Sequence, residues 1–258
     1  PFAIGGYAQV LEEVLEQAEA GERPDGLIAY APVEPGTVEL LTKISKLGVS
    51  IVLVDGDRPH TGRLGATVAG YSEAGSLMAE QAANLLPGVP GAKKILLLAG
   101  DPHTDSHADV ARAFHAYFDE RGLDYAVRDL YGAHKQIDEL RGKVEALLSD
   151  ADAPGLVCSV FAVGSEVVAD TLMELGLVGK IRVIASDLFP ENVIAMRRGI
   201  FTNIVYKDPI ALAYRGARML GEYLLRGEMP AESVLRGGVD LVFRSNLDQY
   251  CRLAGIAV

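Results

Sequence analysis

Cysteine is scarce. Cys158 and Cys251 are the only two in 258 residues; they have no metal-type spacing, and such sparing use suits a reducing cytoplasm better than a disulfide scaffold. Positive charge is in deficit as well: 24 Lys and Arg stand against 35 Asp and Glu, for a net charge of −11. Phosphate backbones and anionic lipid are bound by clustered Lys and Arg, so any contact with DNA is expected to lie outside this chain. Long apolar runs are missing too. The longest, Ile95 to Ala99, falls far short of the roughly 20 residues that a membrane span needs, and no membrane partner is expected. Pro1 to Gly6 offers neither a basic stretch nor a sustained apolar one, so no secretory signal is read there and the expected location is cytoplasmic.

Catalytic fingerprints are absent in turn. No Gly-x-Gly-x-x-Gly follows a strand candidate, no Gly-rich loop ends in Lys-Ser or Lys-Thr, and no Gly-x-Ser-x-Gly elbow occurs. Neither cysteine has an adjacent His to activate it. Dehydrogenase, ATPase and hydrolase readings therefore lack support; the chain is expected not to be an enzyme, with no cofactor and no metal.

What is present is a regular alternation. Short β-branched runs at Gly26–Tyr30, Ile51–Asp55, Ala66–Ala69, Lys94–Ala99, Tyr125–Tyr131, Gly155–Ser159, Ile181–Ala185, Phe201–Val205 and Val239–Phe243 read as strands. Between them, apolar residues recur at helical spacing: Val10, Leu11, Val14, Leu15 and Ala18; Val38, Leu41 and Ile44; Leu77, Met78, Ala82 and Leu85; Val110, Phe114 and Tyr117; Ile137, Leu140, Val144 and Leu147; Leu212, Gly216, Met219, Leu220 and Tyr223. Strand and helix in turn give an α/β class with parallel sheets. A single sheet of eight or nine strands is one solution. The break at Leu86-Pro87-Gly88-Val89-Pro90-Gly91-Ala92 favours two doubly wound lobes with a central ligand cleft, residues 1–92 plus 206–237 and residues 93–205 plus 238–258.

Ligands of open α/β sheets bind beyond the carboxyl ends of the strands, and polar residues gather there: Asp55, Asp57 and Arg58; Asp101 to Asp109; Ser186 and Asp187. The Asp101–Asp109 segment alternates acids with His103 and His107, which invites a metal reading. Once a helix starts near Ser106, however, alternate positions no longer share a face. Capping by Asp105 or Ser106 is the plain alternative, and polar contact with a ligand from His103, Asp105 and His107 is a third. Lys207 precedes Asp208-Pro209 where the chain is expected to change lobes. Tyr30 and Phe161, at strand ends, either stack on a sugar ring or pack in the core.

The order of these segments resembles the LacI/GalR family of regulators and the related periplasmic sugar-binding proteins. Asp25-Gly26-Leu27-Ile28, Ile51–Asp55, Tyr71-Ser72-Glu73-Ala74-Gly75, Ile181–Asp187, Phe201–Pro209 and the closing Val242-Phe243-Arg244-Ser245-Asn246 carry the likeness. It covers about nine tenths of the chain. The resemblance implies a type I periplasmic-binding-protein-like fold that closes over a small, carbohydrate-like effector, with Asp55, Asp187 and Lys207 on positions that touch ligand. It also implies a homodimer and, for a regulator, operator DNA bound by a helix-turn-helix domain outside this chain. The alternative within the resemblance is the solute-binding protein of a sugar ABC transporter, which would be periplasmic or extracellular.

Several departures accompany the likeness. Gly70 stands where an Asp is usual. The family's ligand-gripping Arg falls near Ala108 and an expected Asp on Ser159, while Lys207 replaces a Gln; an acidic or modified sugar is the reading these replacements suggest. The family's opening strand, helix and second strand, which would precede Gln9-Val10, are not in the sequence, so the first sheet is expected to lack a central strand.

Overall fold

A computed structural model describes residues 4–30, 35–88, 93–132 and 136–256. In chain order, α1 (Ile4–Glu19), β1 (Gly26–Tyr30), α2 (Pro35–Lys46), β2 (Ser50–Val54) and β3 (Gly65–Val68) begin the first unit. The second unit takes α3 (Tyr71–Leu85), β4 (Lys94–Gly100), α4 (Asp105–Glu120), β5 (Ala126–Tyr131), α5 (Ile137–Leu148), β6 (Leu156–Ser159), α6 (Ala162–Glu174), β7 (Arg182–Ser186), α7 (Pro190–Arg197) and β8 (Asn203–Tyr206). At Asp208 the chain returns to the first unit for α8 (Pro209–Arg226) and β9 (Val234–Arg236), then ends in the second with β10 (Asp240–Val242) and α9 (Leu247–Leu253). The fold is α/β, in two units.

In the first unit four parallel strands run in the order β1-β2-β3-β9. Side chains of a strand alternate between its faces, and β2 shows what that does here. Ile51 and Leu53 pack with Leu11 of α1 and with Leu41 and Ile44 of α2, whereas Val52, on the other face, packs with Met219 and Leu220 of α8. A strand covered on both faces has to be apolar throughout, and burial of each such residue stabilises by about 1.5–3 kcal/mol. The strand β9 was not foreseen. Three half-buried or exposed residues between polar turns carry no hydrophobic signature, and only the pairing of Val234 to Arg236 along Ala66 to Val68 makes them a strand.

The second unit has six strands in the order β10-β8-β7-β6-β4-β5, parallel except for β10, which runs antiparallel to β8. Its centre, Leu96 and Leu97 on β4, Val157 and Cys158 on β6 and Val183 and Ile184 on β7, is fully buried. Burial pushes the Cys158 thiol up, so it stays protonated.

Several boundaries move. Of the linker foreseen at residues 86–92, Leu86–Gly88 forms a turn of 3-10 helix and residues 89–92 lie outside those described. The passage between units falls earlier, at Ala69 and Gly70, because α3 belongs with α4. A Cβ on Gly75 would sit 2.2 Å from the Val110 carbonyl oxygen, so only glycine permits this backbone approach. In α1, Val10 is turned to solvent while Leu11 and Ala18 are buried, and in α5 Ile137 is exposed while Leu140, Val144 and Leu148 form the core face. No stripe announced α6, which buries Val167, Val168 and Leu172 together with Ser165 and Thr171.

Candidate functional site

Two aspartates close strands in the same way. After β2, Asp55 takes φ +61° and donates its N–H to the Thr67 carbonyl at 2.8 Å; after β7, Asp187 takes φ +68° and donates to the Val205 carbonyl at 2.9 Å. Left-handed backbone is unfavourable for most L-residues and tolerated by Asp and Asn. Each unit therefore turns one carboxylate out of line at the carboxyl end of its sheet.

Around Asp187 the second unit builds a polar cluster. The Lys207 ammonium, mostly buried, lies 3.0 Å from Asp187 Oδ1 and donates to Ser186 Oγ at 2.6 Å. Ser186 in turn donates to Asp187 Oδ2 at 3.3 Å. Behind them, Asn192 Nδ2 donates to the carbonyls of Ser186 and Asp187, at 3.0 and 3.1 Å, and Ser165 Oγ accepts from the Ser186 N–H at 3.1 Å. These backbone ties over-determine the turn and hold its strained residue in place. Neither Ser165 nor Asn192 was foreseen: each contact spans helix and strand, and one polar residue in an apolar helix gives no local sign of its partner.

The other foreseen residues fall in distinct places. Ser159 is 0% exposed and donates to the Phe161 carbonyl at 2.9 Å, which Ser165 Oγ also meets at 3.2 Å; it positions the turn and cannot touch a ligand as it stands. Phe161 is 3% exposed, and its ring centroid lies 5.2 Å from that of His107, so the core alternative describes it. His107 Nδ1 accepts the Asp101 N–H at 3.1 Å, which leaves the proton of the neutral ring on Nε2. His103 is exposed, with its N–H on Asp101 Oδ1 at 2.9 Å. Asp105 is exposed in the first turn of α4, whose cap position is Thr104, with no side-chain cap bond; the cap placed at Asp105 or Ser106 is one to two residues late because the Asp101–Thr104 turn already closes on the backbone. In the first unit Tyr30 is 49% exposed, and its carbonyl accepts the Tyr7 hydroxyl. Asp57 is held by Arg63, whose Nη2 donates to Oδ2 at 2.7 Å, and is a structural partner.

Among the described residues no three His, Cys, Asp or Glu side chains converge as a metal site requires. No helix among them is long and apolar enough to cross a membrane. The cluster offers a compensated ion pair and hydroxyl groups, donors and acceptors fit for hydrogen bonding to a polar ligand.

A family model described as a periplasmic binding protein domain matches residues 6–229. The chain belongs to this family. Solved structures agree on the fold. A protein assigned as a LacI transcriptional regulator from Bacteroides fragilis matches with a TM-score of 0.81 at 14% identity, covering 97% of this chain and 84% of that one. An ABC transporter solute-binding protein from Burkholderia graminis C4D1M, in complex with D-arabinose, matches with a TM-score of 0.79 at 20% identity, over 94% and 82% of the two chains. GanP, a glucose-galactose binding protein from Geobacillus stearothermophilus, gives 0.79 at 17% identity, over 95% and 84%. At such identities the likeness establishes a type I periplasmic-binding-protein-like architecture and nothing finer. No curated protein matches this periplasmic-binding-protein chain by sequence.

Proposed function

We propose that this domain is a receptor, without catalytic activity, for a small hydroxyl-rich, carbohydrate-like ligand, with Asp55, Asp187 and Lys207 as its principal polar contacts. The Asp187–Lys207–Ser186 cluster carries the reading. A carboxylate accepts from sugar hydroxyls and an ammonium donates to them, and charge-assisted bonds of this kind are about twice as strong as neutral ones. Because Asp187 already meets the Lys207 charge, the cluster suits a neutral sugar better than the sugar acid suggested by the sequence departures. The bound sugars of related solved structures, D-arabinose among them, support a pentose or hexose.

For the role of binding, we infer the effector-sensing part of a LacI-type regulator, homodimeric and cytoplasmic, in which ligand-driven lobe closure alters operator binding by a helix-turn-helix elsewhere in the protein. The Arg244-Ser245-Asn246 ending and the likeness to the Bacteroides fragilis protein support it. A second reading, the solute-binding protein of a sugar ABC transporter, is favoured by the family description and by the solute-binding relatives.

Isothermal titration against D-arabinose, D-ribose, D-glucose, D-galactose and the corresponding sugar acids tests the binding half. Neutral sugars are expected to bind one per chain and the acids more weakly; acids alone would reverse the ligand class. Fractionation of cells that express the full gene tests the role: a cytoplasmic, operator-retained product is expected, and export to the periplasm would establish the second reading.

A further inference from the structure

Arg244 follows β10, and the ligand cluster makes no use of it. Its guanidinium lies against Gly199, where a Cβ would meet Nη2 at 2.8 Å and where φ of +75° favours glycine. Asn246 Oδ1 accepts the Phe243 N–H at 2.7 Å and fixes the turn that carries Arg244 and Ser245. Arg244, Ser245, Arg182 and Thr202 line one open cavity of about 420 Å3, with the Phe243 ring, 43% exposed, as an apolar wall.

The electrostatics of this cavity run against those of the chain. Acids outnumber bases by eleven overall, yet among the described residues no carboxylate lines it. Several other guanidiniums are taken by carboxylates: Arg63 by Asp57, Arg141 by Asp170, Arg197 by Asp248. Among the described residues neither the Arg182 nor the Arg244 guanidinium has an ion-pair or hydrogen-bond partner. Thr202 Oγ1 accepts only the Val183 N–H, at 3.4 Å, which leaves its hydroxyl proton to donate.

We propose that this cavity binds the phosphate group of a small ligand. Two guanidinium forks and two hydroxyls supply more donors than the two oxygens of a carboxylate can absorb, whereas a phosphate presents three or four acceptor oxygens to such a set. The place is separate from the Asp187 cluster. Arg182 opens β7 and Asp187 follows its end, Thr202 precedes β8 and Lys207 follows it, so the strands hold the two sites apart by about 16 Å. An apolar wall beside the anion donors fits a phosphomonoester with an organic group; free inorganic phosphate shares the same donor set.

Titration of the full chain at constant ionic strength with inorganic phosphate, phenyl phosphate and malonate tests this. Saturable phosphate binding is expected, weakened about tenfold or more by Arg182→Gln or Arg244→Gln and unchanged by Arg252→Gln, an exposed arginine outside the cavity. Phenyl phosphate tighter than phosphate, with the gain lost in Phe243→Ala, identifies a phosphomonoester; equal affinities identify free phosphate, and both support the site. Should an arginine variant fail to fold, Ser245→Glu is expected to abolish binding at unchanged circular dichroism. Absence of saturable phosphate binding at millimolar concentration, arginine variants that bind like the parent, or malonate equal to phosphate would overturn the proposal. None of these results depends on sugar binding.

Discussion

Asp55 and Asp187 end β2 and β7 with the same left-handed turn, φ +61° and +68°, and each gives its N–H to the carbonyl of a residue on the next parallel strand. Two sheets of different size and strand count have thus arrived at one local solution. Substituting Asp→Ala at either place costs twice over: the carboxylate is lost, and Ala in left-handed backbone adds strain of about 1 kcal/mol. Asn tolerates this conformation, so Asp55→Asn and Asp187→Asn are expected to keep the parent melting temperature within a few degrees while weakening sugar binding. Equal affinity of both Asn variants and the parent would remove the carboxylates from the site.

Lys207 is expected to matter for affinity more than for folding. Lys207→Met strips the ion pair from a partly exposed Asp187, a loss of about 1–2 kcal/mol of stability on the scale between exposed and buried pairs. Sugar affinity is expected to fall about tenfold or more, the worth of one charge-assisted hydrogen bond. Calorimetric titration and urea denaturation of the same sample separate the two effects.

Asn192 is not itself among the proposed ligand contacts, yet its amide bridges the Ser186 and Asp187 carbonyls from full burial. Asn192→Ala leaves both short of a donor and is expected to cost about 2 kcal/mol, and to weaken binding with it because the Asp187 turn relaxes. A variant with lowered stability and parental affinity would show that the turn holds without the bridge.

Much of this was legible in advance. The apolar runs of β2, β4 and β6 announced themselves because both faces of those strands are covered, and Asp55, Asp187 and Lys207 stood out as polar residues at strand ends. Ser159 stood at a strand end too, but turned inward to the Phe161 carbonyl; a hydroxyl is small enough to be buried once bonded, so position alone misleads. The ties of Ser165 and Asn192 to the Asp187 turn could not have been found, since the groups they meet there lie 21 and 5–6 residues away in the chain. The same holds for β9, which exists only through its neighbour.

Packing of α3 on α4 assigns α3 to the second unit, a consequence of Gly75. Gly75→Val forces side-chain atoms against the Val110 carbonyl and is expected to destabilise the second unit by about 3 kcal/mol. Hydrogen exchange should show lost protection in α3, α4 and β4, with β1 and β2 unaffected. Loss confined to β1 and β2 would return the helix to the first unit.

His115 Nε2 lies 2.9 and 3.1 Å from the two carboxylate oxygens of Asp129. That hydrogen bond is the largest cause raising the His115 pKa above its ordinary 6.5; burial acts against it, while the charges of Asp129 and Asp119 add to it. A raised folded pKa contributes stability that is complete below about 6.5 and disappears as pH climbs through the folded value. Melting temperatures of the parent and Asp129→Asn are therefore expected to differ at pH 5.5 and to converge as pH rises through the folded value. The pair is about one third exposed, so the difference should be small and salt-sensitive. A gap that widens with pH would mean His115 is not protonated by this contact.

The most direct test of a sugar receptor built on the strand ends is one titration series: D-arabinose, D-ribose, D-glucose and D-galactose into the parent chain, Asp187→Asn and Lys207→Met at pH 7. One neutral sugar should bind with one-to-one stoichiometry, and both variants should bind it at least about tenfold more weakly while remaining folded. No heat from any sugar, or variants that bind like the parent, would contradict it.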